Sequence, residues 1–282
     1  MTIRPLHFVR RGSGPAVMLL HGFTGSGPSM SEVSLALARD FDVIAPDLPG
    51  HGRSLDADDG RVHAFDDCLD RLAATLERAG HARAHWIGYS MGARLALAFA
   101  LRFPERAASL LLVGARAGIE DASERAGRRR ADEALADRIE TDGIEAFVDE
   151  WLAQPLFASQ RQLGREFVAA QRGQRLGNDA RGLAASLRGL GPGAQPPLFD
   201  DLARLNVPVL LVAGALDHAF VAHARDLERR LPDAEVREVA DAGHAVHLEQ
   251  PVAFMEAARE FLGRACRPAQ YTDPIPLEET AS

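Results

Sequence analysis

The sequence contains no lysine, and all 32 of its basic residues are arginine. Mechanisms that depend on a lysine amine, such as Schiff-base chemistry, are therefore excluded. Cysteine is almost as rare: Cys68 and Cys266 lie far apart and have neither metal-ligand spacing nor a disulfide framework around them. We expect a protein of a reducing, cytoplasmic compartment that uses no metal and no cofactor.

Long apolar runs are absent as well. No stretch reaches the roughly 18 apolar residues that a membrane span requires, and residues 1–5 lack the basic-then-apolar pattern of a secretory signal. The net charge of −8 argues against a nucleic acid or an anionic membrane as partner. The expected partner is a small molecule, and the sequence gives no indication of the oligomeric state.

Short apolar, β-branched runs alternate along the chain with amphipathic helical patterns. Continuous apolar runs of this length are typical of strands buried in a parallel sheet. The predicted strands are 7–10, 16–20, 42–46, 84–87, 109–113, 207–213 and 235–239. The predicted helices are 31–39, 64–79, 91–103, 219–231 and 251–264. This alternation predicts an α/β fold with a mostly parallel sheet and helices on both faces.

The alternation stops in the middle of the chain. Helical patterns occur there at 132–139, 144–153 and 159–172, without a strand-like run. We predict a core domain made of 1–115 and 191–266, with a helical cap at 116–190. Because ligands of open α/β sheets bind at the carboxyl ends of the strands, this insertion is expected to cover the site. Residues 267–282, rich in proline, threonine and acidic residues, are expected to form a disordered tail.

A Gly-x-Ser-x-Gly motif at residues 88–92 follows one predicted strand and begins an apolar helix. A serine in this strand–turn–helix setting is typical of a nucleophile elbow, whose sharp turn leaves no space for side chains at the two glycines. Ser90 is therefore the candidate catalytic hydroxyl. The backbone N–H groups of Met91 and of Phe23, in the glycine-flanked loop 21–25, are the candidate oxyanion donors.

A serine needs an imidazole to take its proton and a carboxylate to orient that imidazole. Asp217 and His244 each follow a predicted strand, and they occur in the Ser–acid–His order of hydrolases with this motif. Asp217 is also a candidate N-cap for the helix that follows it. Asp47 is the rival acid, and His218 and His247 are the rival histidines, but none of them has the same strand–loop context.

Arg94 lies one helical turn after Ser90, on the same face of the same helix. A buried guanidinium is costly unless it is paired, so Arg94 either forms a salt bridge to a carboxylate or binds an anionic substrate. Residues 116–188 contain 12 arginines and 13 acidic residues, so only local faces of the cap can be basic. Because arginine forks suit carboxylates, the expected substrate is small and multiply anionic.

These motifs resemble the α/β-hydrolase superfamily over residues 5–264. The stretches 21–25, 47–52, 88–94, 151–157 and 242–251 resemble in particular the 2-succinyl-6-hydroxy-2,4-cyclohexadiene-1-carboxylate synthases of menaquinone biosynthesis. Arg94 and the 151–157 stretch are the more specific matches. The resemblance implies a lyase in which Ser90 removes a ring proton so that pyruvate is eliminated. His244 activates Ser90, and Asp217 keeps the imidazole of His244 in the productive tautomer.

The resemblance also implies residues that bind a substrate with three carboxylates. They are Tyr89, Arg94, Arg128 or its neighbours Arg129 and Arg130, Trp151, Arg172 and Phe220. Two alternatives remain open. One is a carboxylesterase or C–C bond hydrolase that forms a serine acyl-enzyme on a small acidic substrate. The other is a non-enzymatic ligand receptor built on the same fold.

Overall fold

In the computed structural model, which describes residues 3–55 and 64–266, the predicted apolar runs form one sheet. The strands are β1 (Phe8–Arg11), β2 (Ala16–Leu20), β3 (Asp42–Pro46), β4 (Ala84–Tyr89), β5 (Ala107–Val113), β6 (Val209–Gly214) and β7 (Ala234–Val239). Their order is β1-β3-β2-β4-β5-β6-β7, with β1 antiparallel to β3 and the other pairs parallel. The predicted mostly parallel sheet is confirmed, and each predicted strand end lies within two residues of the observed one.

Helices connect these strands. They are α1 (Ser31–Leu37), α2 (Phe65–Arg78), α3 (Met91–Arg102), α4 (Ala122–Ala153), α5 (Arg165–Leu176), α6 (Ala180–Leu190), α7 (His218–Arg230), α8 (Val246–Glu249) and α9 (Pro251–Ala265). The five helices predicted outside the cap correspond to α1, α2, α3, α7 and α9. In the part of the chain that the structure describes, no helix is both long and apolar enough to cross a membrane.

Helices cover both faces of the sheet. Alternate residues of a strand point to opposite faces, so each central strand contributes side chains to two apolar clusters. In β2, Met18 and Leu20 pack in one cluster with residues of α2, α3 and α7. Val17 and Leu19 pack on the opposite face with residues of α1 and α9. Burial on both faces explains why the central strands appear in the sequence as continuous apolar runs.

The helical cap is the segment between β5 and β6, and it contains α4, α5 and α6. The patterns predicted at 132–139 and 144–153 are two parts of α4, which is interrupted at Gly143 (φ 82°). The pattern at 159–172 is divided at Gly164, whose φ of 93° ends a short 3-10 helix before α5 begins. Both breaks use the left-handed backbone that glycine adopts without strain.

The cap has its own small apolar core. Ala136, Ile139 and Phe147 of α4 pack there against Leu183 and Leu187 of α6, a helix that the sequence patterns did not specify. The division of the chain at residues 116 and 190 into core and cap stays a prediction. The expected disordered tail at 267–282 lies outside the described residues.

Candidate active site

Ser90 occupies a sharp turn between β4 and α3. Its φ of 52° and ψ of −105° are strained for a residue with a side chain, and its N–H donates to the carbonyl oxygen of Val113 at 2.8 Å. A β-carbon at Gly88 would lie 2.5 Å from the carbonyl oxygen of Gly92, and one at Gly92 would lie 2.5 Å from that of Leu20. The two glycines are therefore required by close backbone contacts, as the elbow motif predicts.

The structure brings Ser90, His244 and Asp217 together. The Nε2 atom of His244 is 3.0 Å from the Ser90 Oγ atom, and its Nδ1 atom is 2.8 Å from Oδ2 of Asp217. An ionised carboxylate only accepts, so Nδ1 carries the hydrogen and Nε2 accepts from the serine hydroxyl. The other Asp217 oxygen accepts the N–H of Phe220 at the start of α7. Asp217 therefore contacts the His244 imidazole and also caps the N-terminus of α7, as the two interpretations of this residue predict.

The rival residues have other partners. Asp47 accepts two backbone N–H groups and contacts His7, so it shapes the loop after β3. His218 is exposed at the first position of α7. His247 is buried with its ring centroid 4.7 Å from that of Tyr89, and burial lowers its pKa to about 3, which leaves the imidazole neutral at neutral pH.

Glu249 fixes the loop that carries His244. Its Oε2 atom accepts the N–H of Gly243 at 2.6 Å, and its Oε1 atom accepts the N–H of Ala245 at 3.1 Å. Glu249 is 6% exposed, and its carboxylate holds the backbone on both sides of the His244 imidazole. In the sequence, Glu249 belongs to the stretch 242–251 that resembles the family, five residues after the histidine, but no role was predicted for it.

The two expected oxyanion donors lie beside the serine. Phe23 and Met91 line the same cavity as Ser90, and Met91 is the first residue of α3, where backbone N–H groups have no partner within the helix. His21 braces the loop that carries Phe23: its Nδ1 atom donates to the Gly22 carbonyl, and its Nε2 atom accepts from a backbone N–H. Burial lowers the pKa of His21 to about 4, so it remains neutral.

A cavity of about 510 Å³ lies between the elbow, the histidine loop and the cap. Most of the residues predicted from the sequence line it. They are Phe23, Ser90, Met91, Arg94, Arg128, Trp151, Phe220 and His244. Its volume falls in the range of sites for small ligands, and the cap closes one side of it. The three candidate cap arginines are all exposed, and among them Arg128 lines the cavity, whereas Arg129 and Arg130 do not.

Arg94 is 6% exposed. It donates to the Gln195 side chain at 3.0 Å and to the Leu190 carbonyl oxygen at 2.9 Å. Within residues 3–55 and 64–266, no carboxylate lies within salt-bridge distance of it. Burial, followed by the nearby Arg128 and Arg116, lowers the pKa of Arg94 to about 9, which keeps it cationic at neutral pH. The salt-bridge interpretation of Arg94 therefore finds no partner in the described chain.

Arg128 differs from Arg94 because it has an acidic neighbour. Its Nε atom donates to Asp132 at 2.7 Å, and the other Asp132 oxygen accepts the N–H of Gly193. Arg116, which the sequence analysis did not select, is a third arginine of the cavity. Asp132 is the acidic residue among the described cavity-lining residues, so the three guanidinium groups outnumber the carboxylates there.

Two sequence-based expectations need correction. Arg172 is partly exposed on the cap and pairs with Asp149 of α4 at 2.6 Å, and it does not line the cavity. Because this ion pair forms at the surface, it requires little desolvation. The guanidinium group of Arg172 therefore already has a carboxylate partner within the protein. Tyr89 lines a small adjoining cavity with the buried Arg175 and His247, and not the larger one. Its ring is 5.4 Å from that of His244, so it packs behind the catalytic imidazole.

Trp151 connects the cap to the oxyanion loop. Its ring lies 5.4 Å from that of Phe23 and 5.7 Å from that of Phe147. The indole Nε1 atom is buried and has no hydrogen-bond partner in the described chain. Because buried donors are costly when unpaired, an unpaired indole N–H at the cavity is a candidate contact for a ligand.

Comparison with known proteins agrees with this geometry. A model of the α/β-hydrolase fold matches residues 15–251. The chain belongs to the α/β-hydrolase family.

Within this family, the chain groups with 2-succinyl-6-hydroxy-2,4-cyclohexadiene-1-carboxylate synthases. A Bacillus subtilis protein that carries this name provisionally is 39% identical over 247 residues, which are 88% of this chain and 90% of that protein. The synthase of Serratia proteamaculans is 32% identical and covers 88% and 93% of the two chains. The resemblance found in the sequence is confirmed.

Solved structures of α/β hydrolases have the same fold. The structure of MenH from S. aureus superposes with a TM-score of 0.88 at 29% identity, over 93% of this chain and 99% of that chain. A thermophilic esterase from Thermogutta terrifontis superposes with a TM-score of 0.79 at 28% identity, over 92% and 93%. Because the same fold occurs in an esterase, the fold does not decide the reaction, which has to be argued from the site.

Proposed function

We propose that this enzyme is a 2-succinyl-6-hydroxy-2,4-cyclohexadiene-1-carboxylate synthase that eliminates pyruvate from a cyclohexene carboxylate intermediate of menaquinone biosynthesis. One observation carries the proposal: Arg94 is buried beside the Ser90–His244 pair, and no carboxylate of the described chain neutralises it. A site built to bind a neutral ester has no need of such a cation. A substrate with several carboxylates supplies the missing partners.

The triad provides the base for this elimination. Ser90 Oγ removes a proton from a ring carbon as its own proton moves to Nε2 of His244, and Asp217 stabilises the imidazolium that forms. The electron pair of the broken C–H bond moves into the ring, and the C–O bond to the enolpyruvyl group breaks. Enolpyruvate leaves with that bonding pair and takes the proton of the imidazolium, which converts it to pyruvate, and Ser90 keeps the proton that it removed from the ring.

The remaining groups stabilise charge and hold the substrate. In this proposal, the N–H groups of Phe23 and Met91, two residues that line the cavity, donate to the succinyl carbonyl oxygen as negative charge develops on it. Arg94 and Arg128 bind carboxylates, and the Trp151 N–H supplies a further donor. A small polyanion is accordingly the proposed substrate, and a cytoplasmic location for it and for the enzyme stays a prediction.

The alternative function is ester hydrolysis through an acyl-enzyme. It has support in the triad geometry and in the likeness to the Thermogutta terrifontis esterase. The charge of the cavity discriminates between ester hydrolysis and the proposed elimination, because an esterase that acts on neutral substrates gains nothing from arginines without a counter-ion. The receptor alternative is not carried further, since the chain groups with named synthases.

The deciding experiment supplies the enolpyruvyl intermediate of the preceding menaquinone step and measures pyruvate with lactate dehydrogenase and NADH. Wild-type protein is expected to release pyruvate, and Ser90→Ala is expected to reduce kcat by roughly 10³-fold or more. Asp47→Asn, which changes the rival acid, provides a matched comparison with Asp217→Asn. Rapid turnover of p-nitrophenyl acetate with an acyl-enzyme burst, and no pyruvate from the intermediate, would favour the esterase.

A further inference from the structure

Arg116 lies on the loop that leaves β5, close to the catalytic histidine. Two residues before it, Gly114 has a φ of 63° and contacts the imidazole so closely that a β-carbon there would lie 2.7 Å from Cε1 of His244. Arg116 lines the cavity that contains Ser90 and His244. It also lines a neighbouring surface groove, so it forms part of the wall between the two; the groove is lined by Phe199, His223 and four acidic residues, Glu120, Asp121, Glu124 and Asp226.

The hydrogen-bond partner of Arg116 is a neutral carbonyl group, which does not balance the positive charge of its guanidinium group. Its Nε and Nη2 atoms donate to the carbonyl oxygen of Gly118 at 3.3 and 3.2 Å. In the described ranges of the chain, no carboxylate is within salt-bridge distance of its guanidinium group. The side chain is half-buried, and burial together with the proximity of Arg128 lowers its pKa. Arg116 and Arg128 line the cavity together, and the one acidic residue among its described lining residues is Asp132. This excess of positive charge favours the binding of an anion between the two guanidinium groups.

We propose that Arg116 binds a carboxylate of the substrate in the active-site cavity, in the role that the sequence assigned to Arg172. The inference rests on the proposed function for the identity of that substrate. The cavity then presents Arg94, Arg116 and Arg128 to three carboxylates. Arg116 holds a group away from the reacting C–H and C–O bonds, so it contributes to binding in the ground state and in the transition state alike.

The test compares Arg116→Gln with Arg125→Gln. Arg125 is the matched control because it also donates to backbone carbonyls of this loop, those of Ile119 and Glu120, but does not line the cavity. Arg116→Gln is expected to raise KM for the enolpyruvyl intermediate about tenfold or more, with kcat within about threefold of wild type. Arg116→Lys is expected to be intermediate, because it keeps the charge and loses the fork.

A structural role alone predicts a different result. If Arg116 only braced the loop, both variants would lower thermal stability and kcat alike and leave KM unchanged. That result, or a KM for Arg116→Gln within about twofold of wild type, would overturn the proposal.

A binding measurement separates this inference from the proposed reaction. Isothermal titration with propane-1,2,3-tricarboxylate requires no turnover, and Arg116→Gln is expected to bind it about tenfold more weakly than wild type and Arg125→Gln. If no pyruvate is released but this difference is found, the proposed function fails and the carboxylate site stands. Equal affinity of wild type and Arg116→Gln, or no binding to wild type at millimolar concentration, overturns the site.

Discussion

The arginines on the outside of the cap and those of the active-site cavity have different kinds of partner. On the outside, Arg188 of α6 contacts three carboxylates of α4, and Arg172 of α5 contacts one. The carboxylates on Arg188 are Glu133, Asp137 and Glu140. In the cavity, Arg94 and Arg116 donate to oxygen atoms that carry no formal charge. Arginine thus ties helices together on the outside of the cap, whereas Arg94 and Arg116 remain without a counter-ion in the cavity.

This difference teaches how to recognise a binding arginine in a chain whose basic residues are all arginine. Counting charges fails, because the cap contains nearly equal numbers of both signs. A cation that the fold neutralises stabilises the fold, whereas a buried cation without a counter-ion costs stability and is explained by a ligand. The comparison can be tested by removing one arginine from each region and measuring both stability and activity.

The largest effect is expected for Arg94→Met. It removes the guanidinium of a desolvated site, so kcat/KM for pyruvate release should fall about 10²-fold or more. The melting temperature should stay within about 2 °C of wild type or rise, because a buried, unneutralised charge is removed. Thermal denaturation and steady-state kinetics on the same preparations measure the two effects. A variant with near-normal turnover and a strongly reduced melting temperature would identify Arg94 as structural.

Glu249→Gln extends the comparison to a buried anion whose hydrogen-bond donors are backbone N–H groups. A glutamine offers one acceptor oxygen, so one of the two N–H groups beside His244 loses its partner and the imidazole is less well fixed. We expect kcat to fall about tenfold with KM unchanged, because the substrate does not contact this residue. Glu256→Gln, an exposed position on α9, is the control. An unchanged kcat, or a change confined to KM, would contradict a positioning role.

Arg188→Ala breaks the ion-pair network between α4 and α6. The side chain is 17% exposed, and its loss leaves three carboxylates near one another, so we expect the free energy of unfolding to fall by about 1–2 kcal/mol. The corresponding fall in melting temperature is about 2–8 °C, with kcat/KM within about threefold of wild type. High salt should reduce the difference from wild type, because screening weakens both the attraction and the new repulsion. A large loss of kcat/KM at unchanged stability would mean that Arg188, on the outside of the cap, contributes to the function of the active-site cavity.

The sequence alone predicted the parts of this enzyme that local patterns encode. The strands, the elbow at Ser90 and the order of the triad follow from apolar runs, glycine spacing and the position of residues after strands. These features were visible because each depends on residues close together in the chain. The family resemblance also selected Arg94, which lies one turn from the motif.

What the sequence could not predict depends on contacts between distant segments. Arg172 was chosen because its position in the cap matched the family, but in space it pairs with a carboxylate of another helix. Arg116 was missed because nothing local distinguishes it from the other arginines. It lines the same cavity as His244 only because the sheet brings the end of β5 and the loop that carries the histidine together.

Arg172→Ala is expected to have the smallest effect, and it tests the correction directly. Its ion pair with Asp149 is exposed, so the free energy of unfolding should change by less than about 1 kcal/mol. KM and kcat for pyruvate release should equal those of wild type within about twofold, because the side chain does not line the cavity. Measured beside Arg116→Gln, this variant compares the arginine that the sequence selected with the one that the structure selects. A tenfold rise in KM for Arg172→Ala would mean that the cap moves on binding and that the exposed ion pair is exchanged for a contact with the substrate.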